Sequence, residues 1–491
     1  MMHTILIGLL ISCLVSSALS DSGRVVCYYG SWSTYRNAIG KFTVTDIKPN
    51  LCTHAIYCFI GLNEDGTVKV MDPYLDIDLG YMKKFNDMKK QNPSLKTMVA
   101  IGGWNEGSLK YSAMAASPAR RQTFVQSAVK FLQSHGFDGL DLDWEYPGRR
   151  GGASYDKANF VSLIKELKSA FAEHGLLLSA AVSAAASAVD ISYDVRALSQ
   201  HLDMINLMSY DLHGSWDKVT GQNAPLYPSQ FDTTPASKEL NIQSCVEAWI
   251  SRGASRSKLN LGLAFYGRSF TLNNPNNNGL GAPISGPGLP GRYSGESGML
   301  TYYEIIEHLK TKQWTYKWDQ EQEVPYIHKA NQWIGFDDTR SIAKKVEYAK
   351  SEQLGGVMVW SLESDDFRGL SGTNYPLLRT ANLMKDDSDK PFTVPTPNTT
   401  SDAPVPSTGA ASSTSVPSTT SASSTTSGST SIPSGLCPGK GFFRDPEDCQ
   451  VFYHCPKAGV PLSEYKFVCA EKLLFDNSIE SCNWAELVKD C

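Results

Sequence analysis

The sequence predicts an α/β protein: a (β/α)8 barrel of the TIM type carrying an inserted α+β subdomain, then a Ser/Thr/Pro-rich linker and a small disulfide-rich β domain. Three observations carry that prediction. Eight short apolar runs of strand character recur along residues 21–385, with helical patterns between several of them. Composition changes abruptly at 386–436 to Ser, Thr, Pro, Ala and Gly with almost no apolar bulk. Six cysteines then crowd residues 437–491.

Residues 1–20 read as a secretory signal peptide. Ile5 to Val15 is apolar, and Ala18-Leu19-Ser20 places small residues at the −3 and −1 positions before Asp21. The first residues carry His3 but no Lys or Arg, a departure from the usual pattern that leaves a membrane anchor as the alternative. The run is short for a span of about 20 residues, which favours cleavage and a secreted, extracellular chain. No other stretch is long and apolar enough to cross a bilayer.

The expected barrel strands are Val25–Tyr29, His54–Phe59, Lys96–Ile101, Gly139–Asp143, Leu177–Val182, Met204–Met208, Asn260–Leu263 and Gly356–Trp360. Ser117-Pro118 opens a helix as N-cap and first-turn proline, and Gly136 ends it. Phe124, Ala128, Phe131 and Leu132 give that helix one apolar face. The next helix presents Phe160, Leu163, Ile164, Leu167 and Phe171 on one face and stops at Gly175. The stretch between the seventh and eighth strands is too long for a simple βα connection. It is rich in Gly, Pro, Tyr and Trp, so an inserted subdomain is expected at about 267–340.

The linker at 386–436 cannot bury enough surface to offset its ordering entropy. Its Ser/Thr/Pro content suits O-glycosylation, and Asn398-Thr399-Thr400 is an N-glycosylation sequon. An unmodified coil of that length averages roughly 40 Å end to end. The cysteine cluster reads as a disulfide framework, since it lacks a paired CxxC and holds a single histidine, His454. A formal net charge of −5 gives no electrostatic reason to expect nucleic acid or an anionic membrane as partner.

The most informative segment is Asp138-Gly139-Leu140-Asp141-Leu142-Asp143-Trp144-Glu145. Alternate side chains of a strand share a face, so Asp141, Asp143 and Glu145 point one way and Leu140, Leu142 and Trp144 the other. On a barrel strand one set faces the lumen, which places the acids at the C-terminal end where barrel active sites sit. Close like charges cannot all ionise, so at least one pKa must rise, as a general acid near neutral pH requires. A solvated acidic edge or a calcium site is the plainer alternative. Calcium loops, however, place their acids in a Gly-rich turn rather than on an apolar strand.

This segment resembles glycoside hydrolase family 18, whose DxxDxDxE signature is met by Asp138, Asp141, Asp143 and Glu145. The resemblance runs from about Arg24 to Leu383. It includes Ala100-Ile101-Gly102-Gly103-Trp104, Asn206-Leu207-Met208-Ser209-Tyr210-Asp211, Tyr266-Gly267-Arg268-Ser269-Phe270 and Gly356-Val357-Met358-Val359-Trp360-Ser361. It implies an arthropod-type chitinase that cleaves β-1,4-linked N-acetylglucosamine polymers with retention, assisted by the substrate's own acetamido group. Under that resemblance Glu145 is the proton donor, Asp143 holds the acetamido N–H, Asp141 shares a proton with Asp143, and Tyr210 orients the acetamido carbonyl. Trp360 floors the cleaved-sugar site, flanked by Trp104, Trp216, Tyr28 and Phe59. Met208, Asp211, Tyr266, Arg268 and Asp138 complete the implied binding set. Cys27 and Cys52 match a family disulfide, while Cys58 and Cys245 have no evident partner.

The pattern C-x11-C-x5-C-x13-C-x12-C-x8-C resembles the peritrophin-type chitin-binding domain, carbohydrate-binding module family 14. By that resemblance the pairing is Cys437 with Cys455, Cys449 with Cys491 and Cys469 with Cys482, and Tyr453 and Trp484 are the candidates for stacking on sugar rings. The expected partners are chitin and N-acetylglucosamine oligomers, with no metal or organic cofactor, and the chain is expected to act as a monomer. The rival readings are a catalytically weak or inactive chitin-binding lectin, and an N-acetylglucosaminidase for glycoprotein or peptidoglycan sugars. The intact acidic strand speaks against the first and the cysteine-rich tail against the second.

Overall fold

The computed structural model describes residues 23–385 and parts of 441–488. The expected signal peptide, linker and Asn398 sequon lie outside the described residues, as do the side chains of Cys437, Cys455, Cys482, Trp484 and Cys491.

The first unit is built on eight parallel strands in chain order: Arg24–Gly30, His54–Leu62, Lys96–Gly102, Gly139–Asp143, Leu177–Ser183, Met204–Met208, Leu259–Ala264 and Gly356–Trp360. Each pairs with the next, and the first pairs with both the second and the eighth, so the sheet closes on itself. Closure removes the sheet edges, and helices cover the outer surface.

The two helices read from the sequence have clear local causes. Pro118–His135 begins at Ser117, whose hydroxyl accepts from the Arg120 N–H, and ends at Gly136 with φ +76°. Its Phe124, Ala128 and Leu132 are buried against the barrel. Asp156–Ala172 buries Phe160, Leu163, Ile164, Leu167 and Phe171. Trp144 packs edge-on to Phe160 of the second helix at 5.7 Å and near Tyr111 of the helix Leu109–Ala116 at 6.0 Å. The apolar face of the acidic segment therefore points outward to the helices.

Between the seventh and eighth strands lies a separate antiparallel sheet. It is built from Tyr266–Leu272, Ile284–Pro287, Met299–Thr301, Thr315–Asp319, Val324–Lys329 and Gln332–Gly335. The helix Tyr302–Lys310 belongs to the same insertion and starts on a capping box between Thr301 and Glu304. Its own small core is Phe270, Leu272, Ala282 and Trp333. Cys27 and Cys52 form a disulfide, and Cys58 and Cys245 are buried free thiols.

The C-terminal unit contains a three-stranded antiparallel sheet of Gly441–Arg444, Val451–Cys455 and Lys466–Val468, and a hairpin of Leu473–Asp476 with Ser481–Trp484. Phe452 stacks on Phe475 at 4.4 Å. Cys449 and Cys469 each take part in a disulfide. The Tyr453 hydroxyl donates to Asp445 at 2.5 Å.

Candidate active site

The fourth strand delivers its acids to the barrel interior by plain alternation. Asp141 and Asp143 are buried, and Glu145, two residues past the strand end, is 9% exposed. Asp141 is held from three sides. It accepts from Tyr28 Oη at 2.8 Å, Ser179 Oγ at 2.5 Å and Asn206 Nδ2 at 3.3 Å. Asn206 also donates to Tyr28 Oη at 2.9 Å and accepts from Asn260, which accepts in turn from Arg24. Oδ1 of Asp143 is buried with no hydrogen-bond partner.

Burial dominates the electrostatics. It lifts Asp141 to about 6, against hydrogen bonds from Ser179, Tyr28 and Asn206 that pull the other way. Asp143 is raised well above the carboxylate range by burial, then by the charges of Glu145 and Asp141. Glu145 is pushed up to about 7 by burial, opposed by a hydrogen bond from Tyr146 and by the positive charge of Arg150. A strand of three acids therefore keeps a proton at neutral pH, and the outermost acid titrates where a general acid works best.

Tyr210 lies two residues beyond the sixth strand and is buried, its hydroxyl 3.7 Å from Met358 Sδ and its ring 6.0 Å from Tyr266. Next to it Asp211 adopts a left-handed backbone, φ +56°, which short polar side chains tolerate. Oδ1 of Asp211 accepts from Tyr266 Oη and Arg268 Nε, both at 2.7 Å. The Arg268 guanidinium lies 5.2 Å from the ring of Trp216, which is 58% exposed. Met208 is half-buried against the core.

Around the acids runs a line of large rings. Trp360 is half-buried, with Phe59 stacked at 5.9 Å, Tyr28 at 5.7 Å and Trp32 at 6.3 Å. Trp32 stacks on Phe59 at 5.9 Å and is 41% exposed. Trp104 is 59% exposed, with the Arg150 guanidinium 3.5 Å over one face. Arg150 also donates to the carbonyls of Trp104 and Glu145, at 2.9 and 3.0 Å.

One expected binding residue stands elsewhere, and a second lies beneath the site. Asp138 precedes the fourth strand and so sits at the opposite end of the barrel from Glu145. There it pairs with Lys89 at 3.0 Å and accepts from the Thr97 N–H at 2.8 Å, a strand-anchoring role. Tyr28 is 1% exposed, with its hydroxyl committed to Asp141 and Asn206, so it supports the acids and underlies Trp360 without presenting a face to a ligand. Trp32, Arg150 and Ser179 were not singled out from sequence. Trp32 follows the end of a barrel strand, a position that could have marked it. Arg150 and Ser179 reach their partners 46 and 38 residues away, and no local pattern reports that.

A closed eight-stranded barrel with carboxyl groups at the C-terminal end of its fourth strand is an arrangement that suits a glycoside hydrolase. The chain belongs to glycosyl hydrolases family 18, whose family model matches residues 24–365. Residues 437–491 match the chitin binding Peritrophin-A domain. Chitotriosidase-1 of Mus musculus is 38% identical over 95% of this chain and 96% of its own length. The endochitinase of Manduca sexta is 41% identical over 82% of this chain and 74% of its own. Among solved structures, the Group IV chitinase of Ostrinia furnacalis in complex with allosamidin is 46% identical, with a TM-score of 0.73 over 74% of this chain and 98% of that one. Human YKL-39, described as a pseudo-chitinase with retained chitooligosaccharide binding properties, is 39% identical with a TM-score of 0.69, covering 74% of this chain and 99% of its own.

Proposed function

We propose that this chain is a secreted, monomeric endochitinase that hydrolyses the β-1,4 linkages of chitin and N-acetylglucosamine oligomers. The observation that carries this reading is the placement of Glu145, 9% exposed just past the strand that holds the buried Asp141 and Asp143, where burial pushes its pKa up to about 7. That arrangement supplies an acid at the cleft and a second, more buried carboxyl group behind it.

In the proposed reaction Glu145 gives its proton to the glycosidic oxygen as the bond to the anomeric carbon breaks. The carbonyl oxygen of the substrate's 2-acetamido group closes on that carbon and forms an oxazolinium ion. Asp143, whose Oδ1 is buried and unpartnered, accepts the acetamido N–H and faces the positive charge as it develops. Asp141, fixed by Tyr28, Ser179 and Asn206, shares a proton with Asp143. Tyr210 donates to the acetamido oxygen and aligns it. Glu145, now ionised, takes a proton from water, which attacks the anomeric carbon and reopens the ring with retention. The scheme needs an N-acetyl group on the cleaved sugar, which selects chitin over cellulose.

Trp360 and Phe59 serve as the floor and wall of the sugar site, with Trp104 and Trp216 on its flanks. Met208 and the Asp211–Tyr266–Arg268 cluster supply polar and apolar contacts. The domain at 437–491 holds the enzyme on the insoluble polymer, joined to the catalytic region at 21–385 by the linker at 386–436. The insertion at about 267–340 deepens the cleft and favours internal cleavage.

The test is to compare wild type and Glu145→Gln on a fluorogenic N-acetylglucosamine oligomer and on colloidal chitin. Glutamine keeps the shape but cannot donate the proton, so the rate falls at least ~10²-fold on both substrates while chitin binding persists. A wild type that binds chitin and cuts neither substrate would make the chain a lectin. Products of longer oligomers read the mode of action, and dimers released solely from one chain end would rule out internal cleavage.

A further inference from the structure

The seam of the barrel, where first and last strands meet, holds a buried carboxyl group that the proposed chemistry does not use. Ladder pairing across the seam runs from Arg24 with Gly356 to Cys27 with Val359. Beyond that point Glu363 takes over the connection. Its Oε2 accepts from the backbone N–H of Gly30 at 3.0 Å, and its Oε1 from the Ser361 hydroxyl at 2.6 Å. Its main-chain carbonyl accepts from Arg36 Nη1 at 3.1 Å. Glu363 is 1% exposed. Burial raises its pKa, and Arg36, Ser361 and the Gly30 N–H pull it back down. A carboxyl group kept in such a place is costly unless its bonds do something an apolar side chain would not.

The two anchored residues adjoin the aromatic line. Ser361 directly follows Trp360, and Gly30 lies two residues before Trp32. The fit is close: a Cβ on Gly30 would lie 2.6 Å from Glu363 Oε1 and 2.6 Å from Trp32 Cζ2. Trp32, Phe59 and Trp360 stack on one another in turn, Trp32 from the first strand's end, Phe59 from the second strand, and Trp360 from the eighth. The second and first strands are tied by their own ladder as far as Gly30 and Cys58. The join between Trp32 and Trp360 has no ladder past Val359, and Glu363 bridges it with one bond to each side.

We propose that Glu363 is a positioning residue that fixes the relative placement of Trp32 and Trp360, and with it the affinity of this platform for consecutive sugar rings. The proposal rests on the reading of the line as a sugar platform. Its role is geometric: it accepts from Gly30 and Ser361 and touches no reacting atom. Glutamine at 363 can reproduce both bonds, its carbonyl accepting from Gly30 and its amide donating to Ser361 Oγ. Leucine reproduces neither.

The experiment measures kcat and KM on a soluble N-acetylglucosamine pentamer, and the pentamer's Kd from intrinsic tryptophan fluorescence, for the full chain and three variants. Glu363→Leu raises KM and Kd about tenfold with kcat within about twofold, Ser361→Ala raises them about threefold, and Glu363→Gln stays within about twofold of wild type. Wild-type KM and Kd in both Glu363→Leu and Ser361→Ala would overturn the proposal. A Glu363→Gln as impaired as Glu363→Leu would also overturn it, because charge rather than geometry would then be required. If Glu363→Leu does not fold, Ser361→Ala and Glu363→Gln decide between the same outcomes. A wild type that cleaves no pentamer defeats the hydrolytic reading alone, and the Kd series still tests the platform.

Discussion

Glu145 and Arg150 are five residues apart and act on each other through their charges. Burial raises Glu145 from the ordinary carboxylate range to about 7, and the positive charge of Arg150 opposes that rise. A raised pKa in the folded enzyme means that the protonated, proton-donating form persists up to about pH 7. The expected profile of kcat/KM therefore falls above about pH 7, roughly tenfold per pH unit. Removing Arg150 removes an influence that lowers the pKa of Glu145, so Arg150→Ala moves this alkaline limb to higher pH, while Arg150→Lys leaves it nearer its place. A pH–rate series on a soluble oligomer checks both, and a limb that moves down in Arg150→Ala contradicts the assignment. Sequence reading found Glu145 because three alternating acids on an apolar strand are hard to explain otherwise. It missed Arg150 because no local pattern shows that the guanidinium turns back over Trp104 and beside Glu145.

The strand ends are where local pattern stops being informative. Alternation placed Asp141, Asp143 and Glu145 on the inner side, and the burial of Leu140, Leu142 and Trp144 on the other side has the same origin. The same motif includes Asp138, and membership in it does not reveal which end of the barrel a residue occupies. Tyr28 is ambiguous for a related reason: an aromatic on the first strand can face a ligand or brace a neighbour, and only the partner of its hydroxyl tells which. Backbone contact between the third and fourth strands is tight where the site begins. Gly102 has φ +118°, and a Cβ there would lie 2.1 Å from the Asp143 carbonyl oxygen. Gly102→Ala is expected to destabilise the barrel by about 1–3 kcal/mol and to lower kcat as Asp143 is pushed aside. Denaturant unfolding and steady-state kinetics on the same preparation measure the two effects, and a variant with wild-type values for both would show that the strands part without cost.

At the scale of the whole chain, the family 18 match at 24–365 and the chitin-binding match at 437–491 fall on separate stretches. The sequence marks a division by a change in composition at 386 and by cysteine spacing after 437, both legible from residue types alone. Ending the chain before 437 is expected to leave kcat on soluble oligomers unchanged. On colloidal chitin at low loading the rate should drop about tenfold or more, since tethering raises the effective concentration of enzyme at the surface. Equal rates on colloidal chitin with and without the tail would show that the barrel finds the polymer unaided.

The chain of amide side chains through the barrel interior bears on how this enzyme could be re-engineered. Arg24, Asn260, Asn206 and Asp141 pass hydrogen bonds from the lower rim to the carboxyl groups. Each member donates to the next, and Asn260, Asn206 and Asp141 are fully buried, so removing a donor leaves a buried oxygen without that partner. Thermostabilising libraries are therefore better aimed at the outward, helix-facing layer, where apolar side chains of matched volume can be exchanged one at a time. The inward layer can change only by coordinated replacement, and single-site screens aimed at it will return losses even where a better-packed double or triple solution exists.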